Sequence, residues 1–293
     1  MALTIIEAAN LSQSMMLQGV VETMTTTSPV LKYLPFMTIN GSSLQYNQVL
    51  THGTVEFHAV GDVWIESTPT FARKQASLAI LGGDADVDNF LQQTYANIND
   101  LEATVIEAKA RAVGYKFAAN FINGDVDADS NGFDGLAKLA AVGQTATVGP
   151  NGGALTLDLL DALLDQVRPG KPDLLLMSRR SRRSLTRLAR TTGTVASSPD
   201  EFGISQSYYN GIPIEVDDNI GDAEVMGSSN DCSSIYALQF GYERGVMGLD
   251  NGGIQVERLG PLEAKDASRT RLKWYVGLAN FRDAALARLK GVR

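Results

Sequence analysis

The chain has 293 residues, a formal net charge of −8 and one cysteine, Cys232. With 44% apolar and 20% charged residues it holds enough apolar material for a core without disulfides or metals. A lone cysteine fits a reducing compartment and excludes a disulfide scaffold. The N-terminus lacks a signal-peptide layout, and no stretch approaches the roughly 18–20 apolar residues of a membrane span, so a soluble, intracellular protein is expected with no membrane partner. Arg179 to Arg190 carries six arginines and no acid, which leaves −14 on the rest of the chain. An acidic chain is no generic DNA binder, because duplex binding rests on phosphate neutralisation, so any nucleic-acid contact must be local.

Residues 4–24 read as an amphipathic helix or arm, with Ile5, Ala8, Ala9, Leu11, Met15, Met16 and Val20 at near-helical spacing. Ser28-Pro29 and Leu34-Pro35 break it. Residues 36–81 read as β-rich and projecting. Leu44, Tyr46 and Val49, then Val55, Phe57 and Ala59, then Val63 and Ile65 nearly alternate, and Ser67-Thr68-Pro69-Thr70 is a turn signal. A strand from Gly53 to Ile65, unless bent at Gly61, would reach about 43 Å, close to the ~50 Å width of a globule of this size. Such a hairpin is marginal in water and is expected to lie on a neighbouring subunit. Ser77 to Leu81 resumes strand character.

Asn99-Asp100-Leu101-Glu102 has capping-box form and opens the clearest helix, about 23 residues and about 35 Å long. Its predicted apolar stripe is Ile98, Leu101, Val105, Ala108, Ala112, Tyr115, Ala119 and Ile122. Asn123-Gly124 ends it, with Gly124 suited to a left-handed cap. The alanines and Gly114 suit close packing against a sheet. A Gly/Asn-rich stretch, 143–153, precedes a helix (Leu157 to Val167), a stop at Pro169-Gly170, an apolar strand (Asp173 to Met177), a basic helix (Arg179 to Arg190) and a loop (Thr191 to Gly203). Strands are expected at Ile212 to Val216, Ile235 to Phe240, Ile254 to Glu257 and Leu272 to Phe281, and a helix at Asp283 to Lys290. Mixing of this irregular kind reads as α+β.

Catalytic signatures are missing. The two histidines, His52 and His58, both fall in the hairpin, cannot form HExxH and have no cysteine beside them. GxSxG, Walker A and GxGxxG patterns are absent. No catalytic residue, cofactor or metal is therefore expected, and the chain reads as no enzyme. From Asp127, the run Asp129, Asn131 and Gly132 imitates positions 3, 5 and 6 of a calcium loop, but position 12 is Lys138 where a bidentate Glu is needed. That run reads as a carboxylate-rich turn. Asp84, Asp86 and Asp88 fall on one strand face, read as a solvated or subunit-facing edge. Arg179, Arg183, Arg187 and Arg190 share one helical face, with Arg180 and Arg182 off it. That face pairs with acidic neighbours, or contacts packaged nucleic acid or an acidic assembly partner. It has no interleaved aromatics for base stacking.

In this order the parts resemble the major capsid proteins of tailed bacteriophages, a fold shared with encapsulin shells and the herpesvirus capsid floor. The resemblance runs through Leu44 to Leu81, Leu81-Gly82-Gly83-Asp84, Asp100 to Asn123, Gly132-Phe133-Asp134-Gly135-Leu136, Leu175-Leu176-Met177-Ser178, Gly211-Ile212-Pro213-Ile214, Trp274-Tyr275-Val276-Gly277 and Ala287-Arg288-Leu289-Lys290. It implies an N-terminal arm (1–35), an extended β-hairpin loop (36–81), a peripheral domain (82–150) with a long spine helix (100–123), an axial domain (151–245) and a return to the peripheral domain (246–293). It further implies self-assembly into pentamers and hexamers of an icosahedral shell around double-stranded DNA, held by non-specific contact, in a virion assembled in host cytoplasm. A portal protein is an implied partner. The arm starts at Met1, so a separate scaffolding protein, or none, is expected. An encapsulin-type compartment would share the fold but hold enzyme cargo, and a soluble enzyme would remain a small oligomer. Some family members cross-link a loop lysine to a neighbour's asparagine. Lys74 beside Arg73, near the expected turn, should be exposed and protonated, so cross-linking is not expected.

Overall fold

The computed structural model describes residues 19–24, 28–51, 53–95, 101–192, 195–199 and 205–293. Most of the predicted arm, His52, the Asn99-Asp100 capping pair and residues 193–194 and 200–203 lie outside the described residues. The rest of the predicted 191–203 loop is a correction, since the basic helix runs to Thr192 and Val195–Pro199 form a strand. Residues 19–24 are helical, and Val20, Val21 and Met24 are buried, as are Val30, Leu31 and Leu34 just beyond.

In chain order, β1 (Phe36–Thr38), β2 (Ser43–Thr51), β3 (Thr70–Ser77) and β4 (Ala79–Asp88) lead into helices α1 (Asn89–Tyr95) and α2 (Leu101–Asn123). A short α3 (Leu136–Leu139), β5 (Thr145–Thr147), α4 (Leu157–Gln166), β6 (Leu174–Met177) and α5 (Arg179–Thr192) follow. Then come β7 (Val195–Pro199), β8 (Ser205–Tyr209), β9 (Ile212–Val216), β10 (Glu224–Met226), β11 (Ser229–Leu238), β12 (Val246–Pro261), β13 (Ala267–Asn280) and β14 (Leu286–Val292). The fold is α+β. Among the described residues one sheet runs β1-β12-β13-β4, a second runs β5-β14-β11-β6-β9-β8-β7, and β2 pairs only with β3.

Helix α2 lies on the first sheet around Trp274, whose ring centroid is 4.9 Å from Phe117 and 5.5 Å from Phe36. Phe121 and Phe133 complete the cluster, each 5.9 Å from Phe117. The span of α2 agrees with the sequence, and Ile122 of the expected stripe is buried with Leu101, Val105 and Ala119 half-buried, but the middle of that stripe faces outward. Ala108, Ala112 and Tyr115 are exposed, whereas Ile106, Ala110, Val113, Gly114, Phe117 and Phe121 are buried. The true stripe sits a residue or two further along, because the two phenylalanines bury more surface than the alanines that kept the perfect spacing. Gly124 is not left-handed either: its φ is not positive. A side chain there would strike the carbonyls of Phe133 and Asn120, because residues 132–135 fold back over the helix end. Asn120 Nδ2 donates to the Phe133 carbonyl at 2.9 Å, and Gly135 N to the Gly124 carbonyl at 2.9 Å.

The second sheet is buried on both sides at its centre. One face meets the α2 core through Leu174, Leu176, Tyr236 and Leu238, and the other holds α4 and α5 through Leu160, Leu163 and Leu185. Strand β9 spans the predicted residues, while β11, β12 and β13 each start earlier than expected. The C-terminal helix predicted from Asp283 is a correction. Residues Asp283–Ala285 make one 3-10 turn and Leu286–Val292 form β14, between β11 and β5. A strand covered on both faces needs no alternation, so its Leu and Ala content imitated a helix until tertiary pairing decided.

Phe117→Ala should cost about 3–5 kcal/mol of subunit stability in urea unfolding, and Tyr115→Ala less than about 0.5 kcal/mol. Equal losses would mean that α2 packs through the other face.

Candidate assembly surfaces

The base of the β2–β3 hairpin is anchored. Tyr46 stacks on Phe281 at 4.9 Å and donates its hydroxyl to the Asn280 carbonyl at 2.9 Å. Burial pushes the Tyr46 hydroxyl above its ordinary pKa, partly offset by that hydrogen bond. Lys74 Nζ meets Asp283 Oδ1 at 2.9 Å, both side chains half-buried. Lys74 therefore does not sit beside the turn in open water. It pairs with Tyr46 in the ladder, low on the hairpin.

The turn is also elsewhere than expected. The regular ladder ends at Thr51 and Thr70, residues 53–69 form no strand, and the chain reverses at Val60-Gly61, where Gly61 takes φ 97°. The predicted strand from Gly53 to Ile65 is replaced by an irregular tip. Thr54 N donates to Ser67 Oγ at 2.9 Å, Ala59 N to Asp62 Oδ2 at 2.7 Å, and the His58 and Trp64 rings lie 4.5 Å apart. On this tip Val55, Phe57, Val60, Val63, Trp64 and Ile65 are exposed, Trp64 at 79%. The near-alternation that imitates a strand is an apolar surface that none of the described residues covers.

Strand β4 forms one edge of the first sheet. Arg271 grips Asp84 through two bonds of 2.7 and 2.9 Å, and Arg269 grips Asp86 at 2.6 and 2.8 Å. Lys265 adds a contact to Asp86 at 2.6 Å. The hydrogen bonds from Arg269 and Lys265 hold the Asp86 carboxyl well below the usual range, and Arg271 does the same for Asp84. Asp88 Oδ1 instead accepts from Phe90 N at 2.9 Å and Leu91 N at 3.2 Å at the start of α1. Two carboxylates of this edge are thus engaged within the subunit, by arginines that the sequence places far away.

In the calcium-like turn, Lys138 Nζ contacts Asp125, Asp127 at 2.7 Å and Asp134 at 3.2 Å. The residue at loop position 12 supplies the positive charge itself. The hydrogen bonds it donates to Asp125 and Asp127 hold the ammonium well above the ordinary lysine range. Among the described residues no group of His, Cys, Asp and Glu is arranged to hold a metal ion. A cleft of about 860 Å3 beside the hairpin base is lined by Gln48, Tyr242, Phe281 and Asp283, with no serine, threonine, cysteine or histidine at its wall among the described residues.

Helix α5 carries the basic face. Arg179 forks onto Asp218 at 2.6 and 2.8 Å, and Arg180 donates to the Val292 carbonyl at 3.2 Å near Asp222. Arg182, Arg183, Arg187 and Arg190 are exposed, and none has an ion pair among the described residues. No helix among the described residues is long and apolar enough to cross a membrane.

A long helix on one sheet, a second helix-backed sheet and a projecting apolar hairpin define a structural, shell-building subunit. The chain belongs to the phage capsid family, whose profile matches residues 8–291. No curated protein matches the sequence. Among solved structures it is similar to the holo-SrpI encapsulin complex of Synechococcus elongatus, with TM-score 0.72 and 22% identity over 100% of this chain and 96% of the other. It is similar to the capsid of an empty GTA particle (TM-score 0.67, 17% identity, 91% and 90% covered). A Mycobacterium phage Adephagia chain gives 0.63 at 15% identity, with 89% of each chain covered.

Because the folded pKa of Asp86 lies below its unfolded value of about 3.9, its contribution is complete above that value and is lost as pH falls below it. Asp86→Asn should therefore lower the subunit melting temperature at pH 7 and flatten its decline below pH ~4. An unchanged acid slope would show that the Arg269 pair contributes nothing to folding.

Proposed function

We propose that this chain is the major capsid protein of a tailed bacteriophage, assembling as pentamers and hexamers into an icosahedral shell that encloses double-stranded DNA. The observation that carries the reading is the exposed apolar hairpin tip, on a chain whose family match runs nearly end to end. Contiguous exposed apolar surface of this kind marks a protein contact, and here the contact is another copy. The proposed division keeps an arm (1–35), hairpin loop (36–81), peripheral domain (82–150 and 246–293) and axial domain (151–245). A separate scaffolding protein and a portal protein are proposed partners, with assembly in host cytoplasm. The chain needs no cofactor or metal and performs no catalysis. Shells should survive chelator treatment, with Lys138 already among the carboxylates. Disassembly by chelator with rescue by calcium would contradict this. Covalent cross-linking is absent, since an ammonium held by Asp283 is a poor nucleophile. Mature particles boiled in detergent should run as one band near the 31.4 kDa of the chain, and a ladder of multimers that collapses on Lys74→Ala would refute this.

One observation favours a second reading, an encapsulin-type compartment: the likeness to the Synechococcus elongatus encapsulin spans the whole chain. Negative-stain microscopy of the purified protein, co-expressed with its scaffold if it has one, should show closed shells, and analysis of particle contents separates nuclease-protected DNA from protein cargo. Deleting His52 to Arg73 should abolish shells yet leave a subunit that unfolds cooperatively. Persistent monomers or dimers from the intact chain at every salt would refute both readings.

A further inference from the structure

The unpaired arginines of α5 have a counterpart of opposite sign. On α4, Asp158, Asp161 and Asp165 are exposed along one side, while Leu160, Leu163 and Leu164 face the sheet. Asp158 and Asp165 are seven residues apart, two helical turns or about 10.5 Å, with Asp161 between them. Arg183 and Arg190 on α5 are also seven apart, with Arg187 between them. Both helices pack on the same apolar cluster of the second sheet, yet no ion pair joins the two stripes among the described residues. Asp161 accepts from Tyr209 Oη at 2.7 Å, and the arginine stripe has no acidic partner among the described residues. Asp218 and Asp222 are already taken by Arg179 and Arg180.

We propose that the arginine stripe of α5, Arg183, Arg187 and Arg190, docks on the Asp158–Asp161–Asp165 stripe of α4 in a second copy of this chain. This rests on the shell-building reading and names a contact within it. A head-to-tail contact repeated around a ring needs two different, complementary surfaces on each subunit, and these helices supply them with matched spacing. A nucleic-acid backbone fits less well. The chain outside Arg179–Arg190 carries −14 and would repel it, and no aromatic side chain interleaves the arginines. Exposed ion pairs are individually weak, so the stripes set partner orientation and association rate more than total affinity, and the contact weakens with salt.

The test compares shell formation by the intact chain with three variants: Arg183→Glu/Arg187→Glu/Arg190→Glu, Asp158→Lys/Asp161→Lys/Asp165→Lys, and both sets together. Circular dichroism and thermal melting check folding, and the neutral pair Arg183→Gln/Arg187→Gln stands in if a reversal fails to fold. Each single-helix reversal should raise the subunit concentration for half-assembly about tenfold or more, the combined effect of three exposed pairs. The joint reversal should recover assembly, and added salt should weaken only the chains with complementary stripes. Folded α5 variants that assemble like the intact chain overturn the proposal. So do variants that form normal shells with less nuclease-protected DNA, which would assign the arginines to nucleic acid. If the intact chain itself forms no shell, the underlying reading fails instead.

Discussion

Apolar side chains at the tip of an isolated two-stranded hairpin are left uncovered by the described residues of their own subunit, and the rest of this structure is arranged around that constraint. Strands β2 and β3 form a two-stranded sheet of their own among the described residues, and residues 53–69 extend beyond even that ladder. An isolated hairpin is marginal in water. Six exposed apolar side chains would gain on the order of 10 kcal/mol per subunit from full burial, an upper figure before the costs of association are subtracted. The hairpin therefore gains more from a neighbour than from its own fold.

The body is built to hold that hairpin still. Its base is fixed by the Tyr46–Phe281 stack and the Lys74–Asp283 pair. These attach it to the end of β13, the strand that also carries Trp274 in the α2 core and Arg269 and Arg271 in the edge ladder. Force applied at the tip would thus reach a strand bonded on both sides. Charges on β4 and in the 125–138 turn are neutralised inside the subunit. On the helix-covered face of the other sheet, by contrast, Asp158 and Asp165 of α4 and Arg183, Arg187 and Arg190 of α5 form no ion pair among the described residues.

Strands defined by continuous apolar runs were legible in the sequence: Leu174–Met177 and Ile212–Val216 stand where their composition places them. The length of α2 was legible as well, but not its buried face, because an unbroken alanine stripe outscored a stripe with larger residues. Leu286–Val292 was misread because local helix propensity says nothing about a gap between β11 and β5 that only a strand fills. At the hairpin, Ser67-Thr68-Pro69-Thr70 looked like the turn, whereas the reversal uses Gly61. The pairings of Asp84 with Arg271 and of Lys74 with Asp283 join residues about 190 and 210 apart in sequence, and nothing local encodes them. The failed calcium motif was the clearest hint available, since the lysine at its twelfth position is the residue that contacts Asp125, Asp127 and Asp134.

Of the two tryptophans, Trp274 is 1% exposed and Trp64 is 79% exposed. This gives a direct probe of whether the hairpin tip is covered by another copy. In a Trp274→Phe background, the emission of Trp64 can be followed from dissociated subunits into assembled particles. Burial of the tip against a neighbour predicts a shift to shorter wavelength and protection from acrylamide quenching on assembly. Trp64 that remains red-shifted and fully quenchable in closed particles would contradict the account.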